Sequence, residues 1–113
     1  MDELWDRVAR LTGCLVALPG MRGRRLLIAE VQANVVLVQP EVLQSRGRLL
    51  REPPLRRIPR EDIEVAASLV QLGVPLTVAS VRTYLVQNRG AALEYPGYVV
   101  AIVRAALEEP PAD

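Results

Sequence analysis

The sequence predicts an α+β fold: a small antiparallel β-meander followed by three helices, with one short helix ahead of the sheet. Three observations predict it. Between residues 14 and 38, short apolar runs alternate with stretches of turn-forming residues. After residue 58, apolar residues recur at helical spacing between helix start and stop signals. Half of the 113 residues are hydrophobic, enough for one core without disulfide or metal staples. The chain divides into a single α+β domain over residues 1–109 and a short frayed tail over 110–113.

At the N-terminus, Asp2 can cap a short helix whose Leu4, Trp5, Val8 and Leu11 share a face. Cys14 to Leu18 is a continuous apolar run of strand length, so a strand is expected there, with Cys14 a buried small hydrophobe. The stretch from Pro19 to Arg24 is turn chemistry, and Leu26 to Val31 resumes as a strand. A turn at Gln32-Ala33-Asn34 leads into Val35 to Val38, a β-branched run that Pro40 ends. Residues 39–60 are irregular and hold four of the prolines, Pro40, Pro53, Pro54 and Pro59. Arg48 to Arg51 and Leu55 to Ile58 are candidate further strands.

The stretch from Ile58 to Gly73 carries the strongest local signals. Pro59 suits a helix start, and Glu61, Asp62 and Glu64 meet the positive end of the helix dipole. Ile63, Ala66, Ala67 and Val70 line one face, and Gly73 is a C-terminal stop. Thr77 is an expected N-cap for a helix from Val78 to about Val86, with Val78, Val81 and Leu85 inward. Pro96 suits the first turn of a last helix from Gly97 to about Glu108. Val99, Ile102, Val103, Ala106 and Leu107 form its core stripe.

Composition removes whole classes of chemistry. There is no His, no Lys and one Cys, so an imidazole base, a Schiff base, a P-loop lysine and a Cys/His zinc site have no residues to use. Glu61, Asp62 and Glu64 are the nearest approach to a carboxylate pair, and their place in a first turn already accounts for them. No catalytic residue, metal or cofactor is therefore expected. No apolar run approaches membrane length, and the Met1-Asp2-Glu3 start is unlike a signal peptide, so a cytoplasmic protein is expected.

The fourteen basic residues are all Arg, and their distribution is uneven. Residues 1–60 hold eleven Arg against six acids, a net +5, and residues 61–113 hold three against seven, a net −4. Arg22, Arg24, Arg25, Arg46, Arg48, Arg51, Arg56, Arg57 and Arg60 make the front half the candidate phosphate-binding surface, since guanidinium forks suit phosphate. The competing reading is a solvated rim in which these residues pair with nearby acids.

Arg60 to Leu72, the turn Gly73-Val74-Pro75, Leu76 to Val86 and Gly97 to Glu108 together resemble a winged helix-turn-helix module. The resemblance covers the C-terminal half. It departs from the pattern in the long gap at residues 87–96 and in a third helix that offers Tyr98 and Arg104 among Val and Ala. It implies DNA binding, with Arg104 on the third helix available to base edges. The expected function is a non-enzymatic nucleic-acid-binding or regulatory module with DNA as partner. The alternative is a protein-interaction or assembly subunit. On the last helix, Tyr98, Val100, Ala101 and Ala105 lie outside the core stripe. An exposed apolar patch of that kind predicts a homodimer or another protein partner.

Overall fold

The computed structural model of the chain describes residues 2–20, 23–40, 55–89 and 95–107, with side chains as far as Leu85 in the third of these stretches. Helix α1 (Glu3–Ala9) is followed by strands β1 (Leu15–Ala17), β2 (Arg25–Val31), β3 (Val35–Pro40) and β4 (Arg56–Pro59). Helices α2 (Arg60–Gln71), α3 (Val78–Arg89) and α4 (Tyr95–Leu107) complete the chain. The four strands form one antiparallel sheet in the order β1-β2-β3-β4, so the expected meander gains a fourth strand from the second proline-flanked stretch. The other candidate strand, residues 48–51, and the tail 110–113 lie outside the described residues.

Strand pairing is set by which side chains reach the core. Leu26 and Ile28 on β2, Val36 and Val38 on β3 and Ile58 on β4 are fully buried against the helices. Their alternating neighbours Leu27, Leu37 and Arg57 point to the opposite face. Ile28 pairs with Val38, and Glu30 then pairs with Leu37, so Ala29 is the extra residue of a bulge. The bulge restores phase: Val31 returns to the core side opposite Val36.

The central helix forms as its sequence requires. Ile63 and Ala66 are buried and Ala67 nearly so. The C-terminus closes in a Schellman turn, with Gly73 N–H donating to Val70 O at 3.0 Å and Val74 N–H to Leu69 O at 2.9 Å. That turn needs a left-handed residue, and Gly73 supplies it at φ +84°. At the start of α3, Thr77 Oγ1 accepts from Ser80 N–H at 3.1 Å, the expected cap.

Helix α4 departs from expectation. Val99, Ile102, Val103 and Ala106 are fully buried, but so are Val100, Ala101 and Tyr98 at 0, 2 and 7% exposure, and Ala105 packs against the same core. Leu107, expected inward, is exposed. The helix packs against α1, α2, α3 and β1, so all its apolar residues from Tyr98 to Ala106 are consumed within the chain, and Leu107 alone of its large apolar residues is exposed. The exposed dimerisation patch expected of Tyr98, Val100, Ala101 and Ala105 is thereby corrected. Cys14 is corrected too: it sits exposed just before β1.

Candidate functional site

Antiparallel connection decides where the arginines fall. The starts of β2 and β4 point toward the same end of the sheet: Arg24 and Arg25 lie at that end, Arg56 is level with Ile28 midway along β2, and Arg57 is level with Glu30 farther on. One strand separates β2 from β4, so they run about 10 Å apart. Arg25 lies one rung beyond the Leu26–Pro40 pair, while Arg56 faces Val38. The offset of about three residues puts their Cα atoms roughly 14 Å apart. The described stretches toward this end, 17–20, 23–25, 38–40 and 55–56, contain no carboxylate, whereas the rung of Arg57 includes Glu30.

Alternation then divides the group between two faces. Arg56 shares the side of Val38 at the rim of the core face, whereas Arg57 sits beside Leu37 on the face away from the helices. Arg25, paired with Ala17, also lies on that open face. Arg24 is partly buried, and its Nε has no hydrogen-bond partner. Arg56 and Arg57 are exposed and form no ion pair among the described residues. Arg22, Arg46, Arg48 and Arg51 lie outside the described residues.

Two of the expected phosphate ligands are engaged inside the fold. Arg60 opens α2 and faces the β2–β3 turn at the opposite end of the sheet. Its guanidinium pairs with Asp2, donates to Glu64 Oε2 at 3.2 Å and to Ala33 O at 3.0 Å, and lies 4.8 Å over the Trp5 ring. The Trp5 indole N–H in turn donates to Gln32 O at 2.9 Å. This cluster ties α1, the turn and α2 together, and the acids around Arg60 (Asp2, Glu61, Glu64) make this end acidic. Arg104, expected to read bases, instead donates to Leu76 O at 2.9 Å and ties α4 to the segment before α3. The sequence signal for Arg60 was available in Asp2, Trp5 and Glu64, but nothing local placed the first two beside the last.

Sequence reading gave Asp62 only its place in the first turn of α2 and missed its burial and its partner. It is buried at 2% exposure, and Tyr95 Oη donates to its Oδ2 at 2.6 Å across 33 residues. A carboxylate in a helix's first turn is usually a solvated dipole partner; this one joins α2 to the start of α4. Among the described residues lie two shallow depressions, one of about 380 Å³ lined by Glu3, Asp6, Arg7 and Arg10, the other of about 520 Å³ around Asn34, Pro59, Arg60, Glu61 and Glu64. Ion pairs within the chain, Arg7–Glu3 at 3.3 Å and Arg60–Glu64, engage part of their linings. Among the described residues no cluster of three or more metal-ligating side chains forms, and no helix is long and apolar enough to cross a membrane.

The open face of the sheet is the other feature that local pattern did not announce. Leu15 on β1 is 45% exposed, Leu55 just before β4 is 50% exposed, and Leu27 and Leu37 are only partly buried. No protein-family model, curated protein or solved structure matches the chain, so the fold and its surfaces are argued from their own geometry.

Proposed function

We propose that the protein is a non-enzymatic nucleic-acid-binding module of winged-helix-like form that contacts phosphate through Arg24, Arg25 and Arg56, toward the end of its sheet where β2 starts and where the described residues include no carboxylate. The observation that supports this is the strand register, which gathers guanidinium groups toward one end while Asp2, Glu61 and Glu64 surround Arg60 at the other. A phosphate backbone approaching such a polarised molecule is attracted at one end and repelled at the other, which orients it before contact. Arg60 and Arg104 have no part in this surface because their guanidinium groups hold the fold together. Helix α4 has no groove-reading role either, since it packs against α1, α2, α3 and β1 and its Arg104 is bonded to Leu76 O. Affinity is therefore expected to be general rather than sequence-selective, since phosphate contacts position without specifying. The alternative of an assembly subunit joined through α4 loses its surface for the same reason.

The test is fluorescence anisotropy on duplex and single-stranded DNA at 50 and 200 mM salt. Three neutralised phosphates give a log–log salt slope of about −3 on duplex. Replacing Arg25 and Arg56 together with Ala should flatten that slope by roughly 2 and weaken all sequences alike. Absence of binding to either nucleic acid at 50 mM salt would defeat the reading.

A further inference from the structure

The open face of the sheet is arranged to meet its own copy, and we infer that the chain forms a two-fold dimer by packing this face on itself. Two rungs carry the argument. In the first, Glu30, Leu37 and Arg57 stand side by side across β2, β3 and β4. In the second, Leu27 is paired with Gln39, and the β3–β4 register continued by one residue brings Leu55 alongside. Leu15 extends this rung onto β1, opposite Leu27.

A two-fold axis running along β3, between two facing sheets, reverses left and right and keeps the rungs in order. It sets Glu30 of one copy over Arg57 of the other, twice. It lays Leu37 on Leu37 at the centre and Leu27 on Leu55 on either side. Opposite charges and apolar side chains therefore fall on their complements in the same operation, as an isologous interface requires. Sheets stack about 10 Å apart, a gap that Leu side chains fill from both sides and that Arg and Glu side chains span. Within one copy, Glu30 and Arg57 are two strands apart, about 10 Å, and form no ion pair among the described residues. Among the described residues, Glu30 accepts from its exposed neighbour Gln32 Nε2, at 2.6 Å.

The size of the face sets the strength. The axis along β3 overlaps β2, β3 and β4 of the two copies, and three strands across by three outward-facing residues along give roughly 350 Å² per copy, about 700 Å² in all, the size of a weak, transient interface. Weak association, on the order of 100 µM, is expected. The same axis brings the two arginine-bearing sheet ends to one end of the dimer, although the dimer is inferred independently of nucleic-acid binding.

The experiment is sedimentation equilibrium of the full chain between 5 and 200 µM, with far-UV circular dichroism confirming that each variant folds. Wild type should pass from monomer toward dimer across this range, and Leu37→Arg should remain monomeric throughout. Glu30→Arg and Arg57→Glu should each weaken the dimer by about tenfold or more, because two symmetric pairs are lost at once. The double variant Glu30→Arg/Arg57→Glu should recover most of the wild-type affinity. A wild type that stays monomeric at 200 µM would overturn the inference and leave the face to a different protein. A dimer indifferent to Leu37→Arg, or singles that the double variant fails to rescue, would overturn it as well.

Discussion

Arg60 separates a structural from a binding role for the arginines, and replacing it with Ala gives the sharpest check. Its side chain is one-quarter exposed and makes four contacts that Ala cannot: the Asp2 pair, the Glu64 pair, the bond to Ala33 O and the Trp5 ring. Each partly exposed ion pair contributes about 0.5 kcal/mol. The charged bond to Ala33 O and the cation–π contact contribute about 1 kcal/mol each, toward the low end of their ranges because water reaches the site. The loss is about 3 kcal/mol, which lowers Tm by roughly 10 °C in a domain of this size. Arg60→Lys keeps the charge and gives up the fork, so it should fall between the two. Thermal melts by circular dichroism read the stability, and anisotropy at two salt concentrations reads DNA binding in parallel. Arg60→Ala should move the melt and leave the salt slope unchanged. A variant that melts with wild type, or that flattens the slope by about 1, would refute the assignment.

Two further outcomes check the core. Val100 is fully buried within one chain, so Val100→Asp strands an unpaired carboxylate in apolar surroundings and should cost about 4 kcal/mol or more, a large part of the stability of any small domain. A folded, merely monomeric Val100→Asp protein would return α4 to the surface. Tyr95→Phe removes the hydroxyl that donates to buried Asp62 and should cost about 1.5–3 kcal/mol in a denaturant melt; an unchanged midpoint would show that the pair contributes nothing to joining α2 and α4.

Much of this architecture is legible along the chain, and the reason is local. The apolar spacing of α2, the Gly73 stop, the Thr77 cap and the β-branched run of β3 act over a few residues, so periodicity and turn chemistry identify them without knowledge of the rest. The α+β class follows from the order of those elements. The candidate site was legible only as a list of arginines. Charge along a sequence says how many guanidinium groups exist, not which of them the fold consumes.

What the tertiary structure decided lies in contacts between distant residues. A helix apolar on all sides is compatible with either an oligomer or a central position, and only the packing of α1, α2, α3 and β1 around α4 chooses the second. Arg60 becomes a tie rather than a ligand because Asp2 and Trp5, nearly sixty residues earlier, fold beneath it. Asp62 becomes a buried partner because Tyr95 arrives from the start of α4. Arg56 and Arg57 part company because pleating sends neighbours to opposite faces, and the Ala29 bulge puts Glu30 on the face that Arg57 shares. Composition and periodicity determined which elements form. Strand register and the wrapping of helices around α4 determined which side chains remained outside to act, because burial is a property of the neighbours a residue acquires and not of the residue itself.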